Sequence, residues 1–259
     1  MISRLDRKAK IMSLSVRQFA CLSDNYGFII RDDASGVTAC IDTPDAGAVL
    51  AALKDAGWGL DMILNTHWHP DHAGGNAAVQ AATGALIVGP DEVRRIAPLD
   101  RVVRGGDQVD LGETRFDVID CGGHTLGHVA YFDSRDDIAF VGDTLFAMGC
   151  GRLFEGDAAQ MWASLSRLSS LPPQTAIYCA HEYTASNARF ALSVDPSEAV
   201  KARAEAVFTA RARGESTVPT TIAAELATNP FLRAPQLVEA ESPSAAFAAV
   251  RAAKDSFKG

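Results

Sequence analysis

Short apolar runs bounded by turn residues recur along the first two thirds of the chain: "GFIIRD", "VTACIDT", "DMILNT", "ALIVGP", "RFDVIDC", "HVAYFD", "DIAFVGDT" and "TAIYCAH". Their length and bounding residues predict buried or half-buried strands. Between some of them, "DAGAVLAALKDAG", "GGNAAVQAATG" and "AAQMWASLSRLSSLP" carry helical spacing, the last with Met161, Trp162, Leu165 and Leu168 on its apolar positions. Interleaved strands and helices predict an α/β class with layered sheets. Near Tyr183 the texture changes. "ASNARFALSVDPSEAVKARAEAVFTARARG" is Ala-rich, charged and without strand-like runs, so helices are expected from there to the end. The expected organisation is an extension over residues 1–12, an α/β domain over 13–184 and a helical domain over 185–259.

With 259 residues, 47% of them hydrophobic, the chain can fill a sizeable core. Its longest apolar runs fall far short of the ~20 residues a membrane helix needs, and no early stretch resembles a secretory apolar segment. A soluble cytoplasmic protein without membrane partners is expected. The opening "MISRLDRKAKIM" is polar and basic, and reads as a frayed extension or as an upstream start before Met12. Five cysteines (Cys21, Cys40, Cys121, Cys150 and Cys179) stand singly with no C-x-x-C, which argues against a disulfide framework and against a thiolate zinc site. A net charge of -8 without Lys/Arg runs disfavours nucleic acid as a partner. An anionic substrate would need a local basic cluster.

"NTHWHPDH" places three of the six histidines and a carboxylate within six positions. His67, His69 and Asp71 stand at i, i+2 and i+4 directly after the apolar "MILN", so side chains leaving the strand end would converge, with His72 pointing elsewhere. A lone histidine in such a place is more often a hydrogen-bonded core or surface residue. Four donors together are another matter. Imidazole and carboxylate without thiolate is the donor set of catalytic zinc and of related iron or manganese sites that keep water bound. Further candidates also follow apolar runs: His124 and His128 in "CGGHTLGH", Asp143 in "FVGDTL" and His181 in "IYCAHEYT". Asp143 alone reads equally well as a turn residue. His128, leading into the next strand, reads as a packing residue rather than a ligand.

In this order "THWHPDH", "GGHTLGH", "GDT" and "HE" resemble the metallo-β-lactamase superfamily. The likeness is closer still to its glyoxalase II branch, the hydroxyacylglutathione hydrolases, through "GDTLFAMGCGRLFEG", "HEYTASNARFA", "TVPTTIAAELATNPFLR" and "VRAAKDSFK". The resemblance implies an αββα sandwich with metals at one sheet edge, followed by a helical, substrate-binding C-terminal domain. It implies two divalent ions, zinc foremost with iron or manganese as alternatives. His67, His69 and His124 would hold the first, Asp71, His72 and His181 the second, and Asp143 would bridge both. A hydroxide between the ions would be the nucleophile, with no Ser or Cys required.

The same resemblance implies a small-molecule glutathione thioester as substrate, gripped by Arg152, Tyr183, Arg251 and Lys254, in a protein expected to be a monomer. Some members carry Lys and Tyr where this chain has Arg152 and Phe154. Without the resemblance, Arg251 and Lys254 at i, i+3 would read as a solvated helix face. Two other readings compete with thioester hydrolysis: a mononuclear iron persulfide dioxygenase on the same scaffold, and a non-catalytic metal-binding module. Structural metal sites are closed and usually Cys-rich, which counts against the last.

Overall fold

A computed structural model describes residues 13–259; the expected extension over residues 1–12 lies outside the described residues. The first sheet runs β1 (Leu14–Cys21), β2 (Asn25–Asp32), β3 (Thr38–Ile41), β4 (Met62–Leu64), β5 (Leu86–Gly89) and β6 (Arg101–Val102), in that spatial order. The second contains β7 (Gln108–Leu111), β8 (Thr114–Asp120), β9 (Val129–Asp133) and β10 (Ile138–Gly142). A small hairpin, β11 (Leu145–Phe146) and β12 (Gly149–Cys150), follows. Then β13 (Ala176–Cys179) pairs parallel to β10, and β14 (Thr220–Thr221) closes the edge in the order β14-β13-β10-β9-β8-β7.

The two-residue period of a strand explains why the first sheet is apolar on both faces. Phe28, Ile30, Ala39, Ile41, Leu64 and Val88 point into the core between the sheets. Their neighbours Ile29, Cys40, Ile63 and Ile87 point outward, onto Val49 and Leu53 of α1 (Ala46–Ala56) and Val79 of α3 (Asn76–Thr83). Between these helices lies the single turn α2 (Pro70–Ala73). Across the sandwich, α4 (Ala158–Ser169) packs Met161, Leu165 and Leu168 into the same apolar cluster as the second sheet. Asp45 and Asp157 start α1 and α4 by accepting from the amides of Ala48 (2.7 Å) and Gln160 (2.8 Å). The result is the αββα sandwich.

The C-terminal part is helical, with α5 (Thr184–Val194), α6 (Glu198–Ala212), α7 (Ile222–Thr228), α8 (Ala234–Leu237) and α9 (Pro243–Ser256). The expectation of a strand-free C-terminal part is corrected at one place: Thr220 and Thr221 pair antiparallel with Ile177 and Ala176. Two β-branched residues directly ahead of a helix are too short a run to show a period. Thr221 also caps α7 by accepting from the amide of Ala224. Among the described residues, no helix is long and apolar enough to cross a membrane.

Candidate metal centre and adjoining cavities

Five strand ends deliver the polar side chains to one rim of the sandwich. Asp42 follows β3, the "THWHPDH" segment follows β4, His124 lies beyond β8, Asp143 follows β10 and His181 lies beyond β13. Carboxyl ends of strands are where α/β sheets open into crevices. Two glycines make the close approach possible. A Cβ on Gly142, whose φ is +48°, would meet Thr66 Oγ1 at 2.6 Å and His128 Nε2 at 2.7 Å, and one on Gly151 would meet the Asp143 carbonyl oxygen at 1.9 Å.

The donors fall into groups whose ligand atoms all lie within 4.8 Å of one another: His67, His69 and His124; His67, His72 and Asp143; Asp71, His72 and His181. In the first, His69 Nδ1 lies 3.1 Å from His67 Nε2 and 3.0 Å from His124 Nε2. On the other side, His72 Nε2 and His181 Nε2 lie 3.7 and 3.6 Å from Asp71 Oδ2. Asp143 faces both groups. Its Oδ2 is 3.3 Å from His124 Nε2, while its Oδ1 is 3.4 Å from His72 Nε2 and 3.2 Å from His181 Nε2.

His72 thus does not point away, as strand alternation suggests. Pro70 opens a helical turn at Pro70–Ala73, and the changed period swings His72 inward beside Asp71. His128 stays out of the ligand groups. It lies stacked against His67 with ring centroids 4.7 Å apart and accepts the Asp143 amide at Nε2 (3.1 Å).

Hydrogen bonds to the far nitrogens set the tautomers. Thr66 Oγ1 donates to Asp42 Oδ2 (2.7 Å), so it accepts from His67 Nδ1 (3.0 Å) and leaves His67 Nε2 with a lone pair. His124 Nδ1 donates to the Arg152 carbonyl (2.9 Å) and His181 Nδ1 to Asp24 Oδ1 (2.9 Å), baring their Nε2 atoms likewise. His72 Nδ1 donates to Asp42 Oδ2 at 2.8 Å. Burial, and then the neighbouring imidazoles, hold His67 well below the usual histidine range. Burial opposes ionisation of Asp143, but His181, His72 and His124 outweigh it and keep the carboxyl far below the ordinary carboxylate range.

These residues fit a divalent metal centre, and the fit shows in what is left over. His72 Nε2 and Asp143 Oδ1 are buried without a hydrogen-bond partner. Such atoms cost free energy unless something else meets them. Asp24 and Asp42 were missed by sequence reasoning. The signal for Asp42 was its place at a strand end, "TACID", like the other donors; its φ of +58°, uncommon for a non-glycine residue, has no sequence mark.

Beside the metal centre opens a cavity of about 480 Å³. It brings together all four expected substrate residues, Arg152, Tyr183, Arg251 and Lys254. They differ in freedom. Arg152 is exposed, and Tyr183 stacks on His181 with rings 4.8 Å apart. Arg251 is buried and already committed: Nε and Nη2 donate to Asp255 (3.1 and 2.7 Å) and Nη1 to the Cys150 carbonyl (3.2 Å). Lys254 is half-buried and donates to Ser186. Burial, and then Arg251, Arg152 and Arg189, push its ammonium down to about 8. Three cations lining one cavity, in a chain of net charge -8, supply the local basic cluster an anionic ligand requires.

Between Asp143 and Arg152 the hairpin of β11 and β12 is held from the C-terminal part. Glu225 accepts the Met148 amide (2.9 Å), and Asn229 Nδ2 donates to the Phe146 and Gly149 carbonyls (3.2 and 2.9 Å) and to Glu225 (2.8 Å). Arg203 pairs with the other oxygen of the fully buried Glu225.

The chain matches the family model described as "Metallo-beta-lactamase superfamily" over residues 32–181 and "Hydroxyacylglutathione hydrolase C-terminus" over residues 182–257. It is 55% identical to a hydroxyacylglutathione hydrolase of Erythrobacter litoralis over 94% of this chain and 100% of the relative. It is also 55% identical to that of Maricaulis maris, over 94% and 99%. The solved structure of TTHA1623 in a di-iron-bound form is similar with a TM-score of 0.61 and 25% identity, covering 84% of this chain and 100% of that one. The chain belongs to the metallo-β-lactamase superfamily of metal-dependent proteins and, within it, to the hydroxyacylglutathione hydrolases.

Proposed function

We propose that the chain hydrolyses the thioester of S-(2-hydroxyacyl)glutathione, chiefly S-lactoylglutathione, to glutathione and a 2-hydroxy acid such as lactate, using two divalent ions per chain. The observation that carries this reading is the pair of oxygens of Asp143, each turned to a different donor group, at the end of a cavity lined by cations. His67, His69 and His124 with Asp143 Oδ2 would hold one ion; Asp71, His72 and His181 with Oδ1 would hold the other. When bound, the ions supply a nucleophile from water near neutral pH and polarise the thioester carbonyl.

The chain's own residues do the rest. Asp42, Thr66 and Asp24 fix the imidazoles so that their lone pairs converge. Asp71, half-exposed and held by Asn25 Nδ2 (3.2 Å), stands at the mouth of the site. Arg152 and Lys254 are the cations free enough to meet the carboxylates of glutathione, while Arg251 holds the wall at Cys150. Five free cysteines with none paired fit the reducing cytoplasm, where we place the protein as a monomer.

Zinc is the first candidate metal, with iron and manganese accepted by the same donors. The test is metal analysis of active protein combined with loss of thioester absorbance on S-lactoylglutathione. One ion per chain in fully active protein, with oxygen uptake on glutathione persulfide, would instead support the mononuclear iron dioxygenase.

A further inference from the structure

A second opening, of about 540 Å³, meets the cationic cavity over the metal centre, and the two share His124, Asp143, Phe154 and Tyr183. Its own walls are Trp68, Pro70 and Glu155 together with three of the metal donors, His69, Asp71 and His181. Trp68 is gripped from two directions. Its indole Nε1 donates to Glu155 Oε1 (3.2 Å), the Arg95 guanidinium lies over its ring at 4.5 Å, and Arg95 closes the loop by pairing with Glu155. The other oxygen of Glu155 accepts the Leu126 amide (3.1 Å), tying the clamp to the His124 loop. Next to Glu155, Phe154 is 62% exposed and sets its ring edge-on to His69 and His124, at 5.5 and 5.2 Å.

A thioester carbonyl sends its two substituents in different directions. If the thiol half with its carboxylates occupies the cationic cavity, the acyl half enters the second opening. There the indole N–H is bonded to Glu155, Glu155 is paired with Arg95, and His69, Asp71 and His181 are turned to the metal groups, so what is left to meet an acyl chain is the aromatic surface of Trp68 and Phe154. We propose, resting on the thioesterase reading, that Trp68, clamped by Arg95 and Glu155, and Phe154 form the acyl subsite and select acyl groups that present a flat apolar face beside the carbonyl. Arg95 and Glu155 are positioning residues in this scheme; Trp68 and Phe154 touch the substrate.

The test compares S-mandeloylglutathione with S-lactoylglutathione, which differ by phenyl against methyl, on the metal-loaded enzyme. Trp68→Ala should lower the mandeloyl-to-lactoyl ratio of kcat/KM at least tenfold. Arg95→Ala, at a half-exposed side chain outside the metal centre, should lower it about threefold by freeing the ring. Trp68→Phe should restore most of the ratio. A readout without turnover runs beside it: calorimetric binding of S-benzylglutathione should weaken about tenfold in Trp68→Ala, and that of S-methylglutathione far less. An unchanged ratio in Trp68→Ala, with wild type hydrolysing both thioesters, overturns the inference alone. Hydrolysis of neither thioester by metal-loaded wild type overturns the thioesterase reading and this inference with it.

Discussion

Without a metal, three carboxylates around His72 favour a second proton on its ring, at the Nε2 that a metal ligand needs bare. Burial opposes its charged form, yet Asp143, Asp42 and Asp71 outweigh burial and push the imidazole up to about 9. In metal-free protein this raised value contributes stability that is complete below about 6.5 and fades as pH climbs through about 9. An ion entering the site must expel that proton. Titrating zinc into the metal-free protein should therefore release about one proton per chain more at pH 7 than at pH 10. Equal release at the two values would show that His72 is neutral or is not displaced.

Lys254 has the opposite sign: its depressed value, about 8, means that the empty cavity disfavours the cation. A docking carboxylate restores it. KM for S-lactoylglutathione is accordingly expected to rise several-fold between pH 7 and pH 9.5, and to be high and flat over that range in Lys254→Ala. A KM that follows the same pH curve in wild type and variant would remove Lys254 from recognition. Asp143→Ala should lower kcat at least about a hundredfold more than His128→Ala, because one removes a carboxylate shared by two donor groups and the other a single contact to its backbone. Comparable metal loss in the two variants, measured by metal analysis, would contradict that division.

At the scale of elements, the strands buried on both faces were legible because continuous apolar runs survive in the sequence: "GFIIRD" and "DIAFVGDT" became β2 and β10. β1 escaped because only half of its character is apolar; Arg17 and Gln18 interrupt the run, and its place is set by pairing with β2. The two-residue strands β11, β12 and β14 have no length in which a period could appear. The donors in "THWHPDH" were legible as a cluster, but the aim of His72 depended on the helical turn opened by Pro70. Asp24 and Asp42, far away in sequence, became visible only when the sheet brought them to the imidazoles.

The anchor between α7 and the β11 and β12 hairpin gives a prediction at the same scale. Glu225→Ala would leave Arg203 without its carboxylate partner in a largely buried place, at a cost of about 3 to 5 kcal/mol. It would also free the Met148 amide. The midpoint of denaturant unfolding should fall without a change in slope, and metal content should drop with it. Full metal retention in folded Glu225→Ala protein would show that the hairpin keeps Asp143 in place unaided.

For the whole molecule, metal binding is also folding free energy, since the converged donors exist only in the native chain. At a hundredfold excess over its dissociation constant, each ion adds about 2.7 kcal/mol. Chelation should thus lower Tm by several degrees, and readdition of zinc should restore it. A Tm indifferent to chelator would mean that the donors are held as firmly empty as filled.

The grip of Glu225, Asn229 and Arg251 on residues 146–150 reaches beyond stability. The segments matched by the two family models look like separable parts, one for chemistry and one for recognition. Yet the loop carrying the shared carboxylate is latched by side chains from the far end of the chain. A chimera that exchanged the helical portion for that of a cousin, in the hope of changing only the leaving thiol, would rebuild the latch as well. New recognition in such hybrids should come with altered metal retention unless the residues meeting the Phe146, Gly149 and Cys150 carbonyls travel with the hairpin they hold.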